Sequence, residues 1–450
     1  MRQRAAIILA AGKSSRMKSA HSKVLHEVGG RSAIDWSIAL VKDTGCDRIV
    51  CVVSPDGEAV ADHVRPQLGN DALAVQREAL GTGHAVQAAR DALAGFEGDM
   101  IVLFGDSPLI PSDAVERLFA AVSGNKGIGV LGFEALDAGN YGRLVTTEEG
   151  TLEAIVEARE ASEEQLAIRL CNSGVMAGDA QTMFRLLDGV TNDNAKGEYY
   201  LTDLVALARA EGHVCYVETC PENQMIGCDT RADLAAAEAV FQNSMRAQML
   251  DNGVSMIAPD TVYFSYDTQI EPDVLIEPNV VFGPGVHVAS GAVVHAFSHI
   301  EGAKLGAGAH VGPYVRLRKG SDIGAGAKIG NFVEVKNSVI GEGAKASHLS
   351  YLGDGDVGAG TNIGAGTIFC NYDGFLKYQT TIGENAFIGS NSSLIAPVTI
   401  GDGAMVGSGS VVTENVEPDA LYLSRSKPTP KQGWATKFRA VMTAKKSKKG

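Results

Sequence analysis

The stretch Ile382-Gly383-Glu384-Asn385-Ala386-Phe387-Ile388-Gly389-Ser390-Asn391-Ser392-Ser393-Leu394 decides how the C-terminal part of this chain folds. An aliphatic residue returns every sixth position, and the series continues through Ile400, Val406 and Val412. The same period runs through Ile270, Ile276, Phe282, Val288, Val294 and Ile300, and again through Leu317, Ile323, Ile329 and Val335. A period of six matches neither a helix face nor strand alternation over this length. It fits a solenoid of short flat strands, in which the aliphatic of each hexad fills the interior and Gly or another small residue turns the corner. Gly follows the aliphatic at Ile323-Gly324, Ile340-Gly341, Ile363-Gly364, Ile388-Gly389 and Ile400-Gly401.

The period lapses twice. Between Val335 and Ile363 it stumbles through Lys336, Lys345, His348, Tyr351 and Asn362. It stumbles again across Ile368-Phe369-Cys370-Asn371-Tyr372-Asp373-Gly374-Phe375-Leu376-Lys377. Such departures project loops from a solenoid, often on its binding face.

The full chain of 450 residues exceeds one core and suggests two to three domains. Its 45% hydrophobic and 20% charged content is that of a folded protein, and no apolar run approaches the ~18 residues of a membrane span. The run Ala5-Ala6-Ile7-Ile8-Leu9-Ala10-Ala11 leads straight into Gly12-Lys13, which reads as a buried first strand, so no export is expected. Seven scattered cysteines without a C-x-x-C suit a reducing cytoplasm and give no disulfide or zinc framework. The net charge is −14 even though Lys437, Arg439, Lys445, Lys446, Lys448 and Lys449 follow the last acid, Asp419. An acidic body disfavours nucleic acid as the main partner, and the basic tail is expected to be a disordered, solvated end.

Upstream of the hexads, apolar strand candidates (Ala5–Ala10, Arg48–Val53, Met100–Phe104, Gly127–Phe133, Val214–Val217) alternate with helix candidates. The helices are Ser32–Lys42, Gly83–Ala94, Ser112–Val122, Ala180–Leu187 and Leu201–Glu211. This order predicts a Rossmann-like, mostly parallel α/β sheet with ligands at the carboxyl ends of its strands. Thr230 and Asp233 open a connecting helix with Leu234, Ala237, Phe241, Met245 and Met249 on one face, and Gly253 stops it. Boundaries follow at 1–228, 229–251, 252–426 and 427–450.

Directly after the first strand, Leu9-Ala10-Ala11-Gly12-Lys13-Ser14-Ser15-Arg16-Met17 and then Lys23 combine small residues with two cations. That composition suits a phosphate-cradling loop, and equally an ordinary strand-to-helix turn. Four histidines (His287, His295, His299, His310) invite a zinc reading, but spacings of four and eleven do not stack on an eighteen-residue coil. Surface or corner histidines are the better expectation.

The N-terminal loop resembles the signature of the sugar-1-phosphate nucleotidyltransferases, with Ser14, Ser15 and Ser22 where that family usually has Gly, Thr and Pro. Further segments follow in that family's order: Gln76 with Leu80-Gly81-Thr82-Gly83, then Phe104-Gly105-Asp106-Ser107-Pro108, Gly142-Arg143, Glu157, Asn172 and Asp229. The resemblance implies that Leu9, Ala10, Ala11, Gly12, Lys23, Gln76, Gly81, Thr82, Phe104, Gly105 and Asp106 hold the nucleotide. Gly142, Glu157 and Asn172 would surround the sugar. It further implies Arg16 and Lys23 as charge-stabilising catalytic residues, with Asp106 and Asp229 as ligands of Mg²⁺. Asp229 also stands where a helix N-cap would, and both readings stay open.

The solenoid segments Arg316-Leu317-Arg318, Gly330-Asn331-Phe332-Val333-Glu334-Val335-Lys336, His348-Leu349-Ser350-Tyr351, Asn362-Ile363-Gly364-Ala365 and Cys370-Asn371-Tyr372 extend the likeness over nearly the whole chain. Together they resemble the bifunctional N-acetylglucosamine-1-phosphate uridyltransferase/glucosamine-1-phosphate acetyltransferase family. The resemblance implies an α/β nucleotidyltransferase domain, a connecting helix and a left-handed parallel β-helix of hexapeptide repeats. It implies His348 as general base, with Arg318, Lys336, Tyr351, Asn362 and Lys377 holding the sugar phosphate. Ala365, Asn371, Tyr372, Ser390, Ser408 and Arg425 would line an acetyl-CoA groove. Expected substrates are glucosamine-1-phosphate, acetyl-CoA, UTP and N-acetylglucosamine-1-phosphate, and the expected assembly is a cytoplasmic homotrimer. The competing expectations are a nucleotidyltransferase whose β-helix is only a scaffold, and a non-catalytic assembly protein.

Overall fold

The computed structural model describes residues 2–194, 196–424 and 428–447. The chain divides into two compact units, Met1–Gln248 with Phe264–Tyr266, and Met249–Tyr263 with Asp267–Gly450.

Seven strands form the spine of the first unit: β1 Gln3–Leu9, β2 Arg48–Val53, β3 Leu73–Val75, β4 Gly98–Phe104, β5 Ile128–Glu134, β6 Leu170–Asp179 and β7 Tyr216–Thr219. Their spatial order is β7-β5-β6-β4-β1-β2-β3. β1 pairs in parallel with β2 and β4, β7 runs parallel to β5, and β6 is antiparallel to both β4 and β5. Ala5 to Ile8 and Met100 to Leu103 are wholly buried, as continuous apolar strands covered on both faces must be. Helices Ser112–Val122 and Ala180–Leu187 keep the expected bounds, and Ser32 caps Ala33–Asp43 by accepting from the Asp35 amide at 3.2 Å.

Three expectations are corrected here. The helix foreseen over 83–94 is Thr82–Ala88 followed by a separate 3-10 turn, Asp91–Leu93. The last strand lies two residues later than foreseen, at Tyr216–Thr219. β3, β6 and helix Glu58–Leu68 were not anticipated: β6 carries Asn172, Ser173 and Gly174 around a register shift, and the helix holds Pro66 in its last turn. Tertiary pairing overrides these poor local propensities.

The helix Arg231–Asp251 opens as its sequence suggests. Thr230 N–H donates to Asp233 Oδ2 at 2.8 Å, and Asp233 N–H donates back to Thr230 Oγ1 at 3.2 Å. Ala237, Phe241, Met245 and Met249 are buried along one stripe, Leu234 is half-buried, and Gly253 at φ +86° ends the run.

The second unit is a left-handed parallel β-helix of hexapeptide repeats, built from strands mostly two or three residues long. Ile382 pairs with Ile400, Ile388 with Val406 and Leu394 with Val412, all in parallel, so each hexad aliphatic stacks on that of the next coil. These interior side chains are almost fully buried, and each contributes about 1.5–3 kcal/mol.

The corners work differently from the sequence expectation. The Gly directly after the aliphatic does not make the turn. A Cβ there would strike the next coil's backbone, at 2.7 Å for Gly324 and 2.4 Å for Gly389. The left-handed turn falls two residues later, at Gly326, Gly343, Asn385 and Asn391. Along one edge it is even taken by Phe297, Tyr314, Phe332 and Leu349. The two aromatic pairs of that edge stack at 4.9 and 5.2 Å between ring centroids.

At the first lapse, strands Glu334–Ile340 and Tyr351–Val357 are seven residues long and run continuously past a corner. The second lapse is a hairpin. Tyr378 N–H returns to Asn371 O at 2.9 Å, while Asp373 accepts from the Phe375 and Leu376 amides. The tail expectation is also corrected: Trp434–Ser447 is an exposed helix with Trp434 stacked on Phe438 at 5.0 Å. No helix among the described residues is long and apolar enough to cross a membrane.

Candidate active sites

At the carboxyl ends of β1 and β4 the first unit opens a cleft of about 540 Å³. Its lining brings together Leu9, Ala10, Ala11, Gly12, Arg16, Lys23, Gln76, Gly81, Thr82, Phe104, Asp106, Glu157 and Asn172, all anticipated from the sequence. The turn after β1 is held by Ala10 N–H to Val52 O at 2.8 Å and by Gly105 N–H to Leu9 O at 3.0 Å. Ser14 Oγ accepts from the Lys23 amide at 2.8 Å, closing the loop that presents both cations.

Lys23 is the electrostatic centre of this cleft. Its ammonium contacts Asp106 Oδ2, lies 2.7 Å from Asp229 Oδ1, and Arg16 Nη2 reaches the same Asp229 oxygen at 3.0 Å. Burial alone would lower the Lys23 pKa; the two carboxylates outweigh it and hold the group above the ordinary lysine value. Asp229 does not cap the connecting helix, since Thr230 fills that role; its carboxylate faces the cleft cations instead. Asp106 and Asp229 therefore converge on one point. Two carboxylates are what a Mg²⁺ site needs when phosphates and water complete the shell.

The opposite wall depends on one glycine. Gly81 has φ +107°, and a Cβ there would lie 2.6 Å from Tyr199 O. This approach lets Gly83 N–H bond Tyr199 O and Tyr199 N–H bond Leu80 O, both at 2.8 Å. Buried Gln76 donates its amide to Gly81 O at 3.0 Å. Gly142 stands just outside the lining and accepts the Asn172 amide at 2.8 Å. The sequence reading missed Lys13, Gly174, Lys196, Glu198, Tyr200 and Thr202, which also line the cleft. They lie in loops and in β6, where no periodic signal marks them.

On the solenoid, coil-to-coil register sorts the anticipated residues into groups. Arg316 and Leu317 pair with Glu334 and Val335, which pair with Tyr351 and Leu352, while Lys336 pairs with Gly353. Arg318 follows Leu317 in this register, so Arg318, Lys336 and Tyr351 share one face, and Arg318 Nη1 bonds Glu334 at 2.9 Å. The second-lapse hairpin brings Lys377 to the same face, where the neighbouring Lys336 ammonium depresses its pKa. Asp354 ties this group together, accepting from Asn371 Nδ2 at 2.6 Å and Asn337 Nδ2 at 2.9 Å. Partial burial opposes ionisation of Asp354, but these donors, with Lys336 and Lys377, hold its pKa below the ordinary value. Two close ammoniums on one wall are suited to a phosphate dianion.

His348 stands at the corner before Tyr351, its Nδ1 2.9 Å from Asn331 Oδ1. Continuing the pairing of Ala346 with Ile363, Ile363 with Ile388 and Ile388 with Val406 places Ala365, Ser390 and Ser408 in the His348 column on successive coils. Asn371 and Tyr372 flank the start of the hairpin. Asn362 is not brought into either group, because it pairs with Lys345 and Phe387 on the adjoining flat face. Arg425 lies outside the described residues. His295 and His310 stack at 5.7 Å with His295 Nδ1 3.0 Å from Glu277, yet no cluster of three or more metal-ligating side chains occurs among the described residues.

Comparison with known proteins agrees with this two-part layout. Residues 6–171 match the MobA-like NTP transferase domain family, and residues 267–302 and 379–414 match the bacterial transferase hexapeptide family. Proteins named "Bifunctional protein GlmU" match along the whole chain. That of Hyphomonas neptunium is 60% identical, covering 99% of this chain and 97% of its own. Those of Caulobacter vibrioides and Maricaulis maris are each 54% identical over 100% of this chain, covering 97% and 99% of their own length. The chain belongs to the bifunctional GlmU family.

Proposed function

We propose that this chain carries two transfer reactions in sequence: acetylation of glucosamine-1-phosphate from acetyl-CoA on the solenoid, then uridylyl transfer from UTP to N-acetylglucosamine-1-phosphate in the N-terminal cleft. The reading is carried by one observation. A Lys23–Asp106–Asp229 cluster in a cleft and a histidine beside a lysine-rich wall coexist in a single chain.

In the acetyl centre the Lys336–Lys377 pair and Arg318 take the sugar phosphate, turning the amine toward His348. Nε2 of His348 accepts the amine proton as the new C–N bond forms. The thioester C–S bond then breaks, and CoA leaves as the thiol after taking up a proton. The column through Ala365, Ser390 and Ser408 guides the acyl donor toward His348.

In the cleft, Gln76 and the Gly81 loop hold the uracil and the Leu9–Gly12 turn receives the phosphates. A sugar-phosphate oxygen attacks the α-phosphorus in line and pyrophosphate leaves. Lys23 and Arg16 stabilise the charge that builds on the phosphate oxygens, so catalysis is positioning and electrostatics. Mg²⁺, held by Asp106 and Asp229, would supply further neutralisation of phosphate charge. The reading places the enzyme in the cytoplasm as a homotrimer; the exposed stacked ladder of Phe297, Tyr314 and Phe332 supports assembly through the solenoid wall.

The test supplies glucosamine-1-phosphate, acetyl-CoA, UTP and Mg²⁺ and follows free CoA and pyrophosphate separately. His348→Ala should lose CoA release, and when given N-acetylglucosamine-1-phosphate it should form pyrophosphate normally. Asp106→Ala should show the reverse. Pyrophosphate without any CoA from the intact chain would instead make the solenoid a scaffold.

A further inference from the structure

We infer that Asn331 is a positioning residue for acetyl transfer, fixing the tautomer and the orientation of the His348 ring. The inference rests on the reading of His348 as the base and adds the group that makes this histidine competent.

Neutral imidazole has one N–H and one bare nitrogen, and only the bare nitrogen can take a proton. Which nitrogen is bare depends on the hydrogen bond made by the other. Here the side-chain oxygen of Asn331 lies 2.9 Å from Nδ1. An amide oxygen only accepts, so it holds the proton on Nδ1 and leaves Nε2 free to act as base.

Four features of the two coils make this contact a property of the wall. Asn331 and His348 are Cα partners on adjacent coils. The following residues, Phe332 at φ +59° and Leu349 at φ +51°, turn the same left-handed corner, so both side chains leave their coils at the same phase. The Leu349 amide donates to Asn331 O at 3.1 Å, and buried Ser350 Oγ donates to His348 O at 2.9 Å. The coils approach so closely that a Cβ on Gly330 would lie 2.0 Å from Ser347 O.

The partner is a neutral amide, where a histidine base is often oriented by a carboxylate. The titratable groups on the paired strands are Lys328 and Lys345, three residues back on the flat face, with Glu334 and Tyr351 beyond the corner. The side chain bonded to the ring is Asn331. The protein thus obtains orientation without placing a negative charge on the imidazole.

The test compares Asn331→Leu, Asn331→Asp and His348→Ala in the full chain, with pyrophosphate formation from N-acetylglucosamine-1-phosphate and UTP as the folding control. Asn331→Leu should lower kcat for CoA release by about tenfold or more while KM for acetyl-CoA and glucosamine-1-phosphate stays near wild type. Asn331→Asp should restore much of the rate and move the acidic limb of kcat/KM upward by about one pH unit, since a carboxylate favours the imidazolium. Unchanged kcat and pH profile in both Asn331 variants, with His348→Ala inactive, would overturn the positioning role and leave the base intact. Normal CoA release by His348→Ala would overturn the base assignment itself. A rise in KM alone would make Asn331 a substrate contact and also overturn the inference.

Discussion

In the N-terminal cleft Lys23 meets Asp229 across 206 positions of the chain, whereas on the solenoid wall Asn331 meets His348 across 17. The first centre depends on a sheet whose strand order departs from chain order, so its parts converge only after the whole unit has folded. The second depends on stacking: any residue finds its neighbour one coil later, and a site needs only two or three coils to exist. The contrast also appears in the groups used. The cleft balances carboxylates against cations inside a concavity. The wall gathers like charges in the open, where a bound phosphate would neutralise them.

Chelation is the largest expected break between the two centres. Treating the enzyme with EDTA should abolish pyrophosphate release while CoA release continues at its original rate, because Asp106 and Asp229, the proposed holders of Mg²⁺, belong to the cleft. Inhibition of both reactions would erase the distinction.

A matched pair of glycine substitutions comes next. Gly330→Ala forces a Cβ into Ser347 O and should cost about 3 kcal/mol or more, lowering the thermal transition and removing acetyl transfer. Gly81→Ala meets Tyr199 O at positive φ, costs about 2 kcal/mol, and should impair uridylyl transfer alone. Calorimetry with both assays separates local from global damage.

Lys336→Ala should raise KM for glucosamine-1-phosphate about tenfold, the weight of one charged hydrogen bond, with a smaller change in kcat. A change confined to kcat would remove the phosphate role.

The smallest effect concerns Asp354. Its folded pKa is depressed, so the stability it adds is fully present above its ordinary value of 3.8 and is lost as pH falls through the depressed one. Wild type should therefore unfold at higher temperature than Asp354→Asn near neutral pH, followed by circular dichroism, and the difference should shrink as pH falls below roughly 4. A difference that persists undiminished below that pH would contradict this.

Much of the solenoid was legible because its code is local. The six-residue period gave the interior columns, and the lapses fell where Lys336, His348, Tyr351 and Lys377 stand. What it could not give was the division of labour at the corners. Gly324 and Gly389 allow close stacking, while Phe332 and Leu349 accept the strained turn. In the cleft the loop after β1, Gln76 and Asp106 were legible from their motifs, as was the connecting helix from its cap and stripe. Lys196 and Tyr200 were not, since they lie in a loop without periodic signal, and strand β6 was not, since pairing partners rather than propensity define it.

The hairpin after Cys370 leaves the wall at Asn371 and closes against Tyr378, whose amide bonds the Asn371 carbonyl. Above and below it the interior ladder is undisturbed, with Phe369 paired to Leu394 and Val357 to Ile382. Seen as architecture, the hairpin is a plug-in fitting: the wall carries the load, and the fitting spends none of its alignment. Loops of other lengths and contents could be mounted at the same socket without rebuilding the wall.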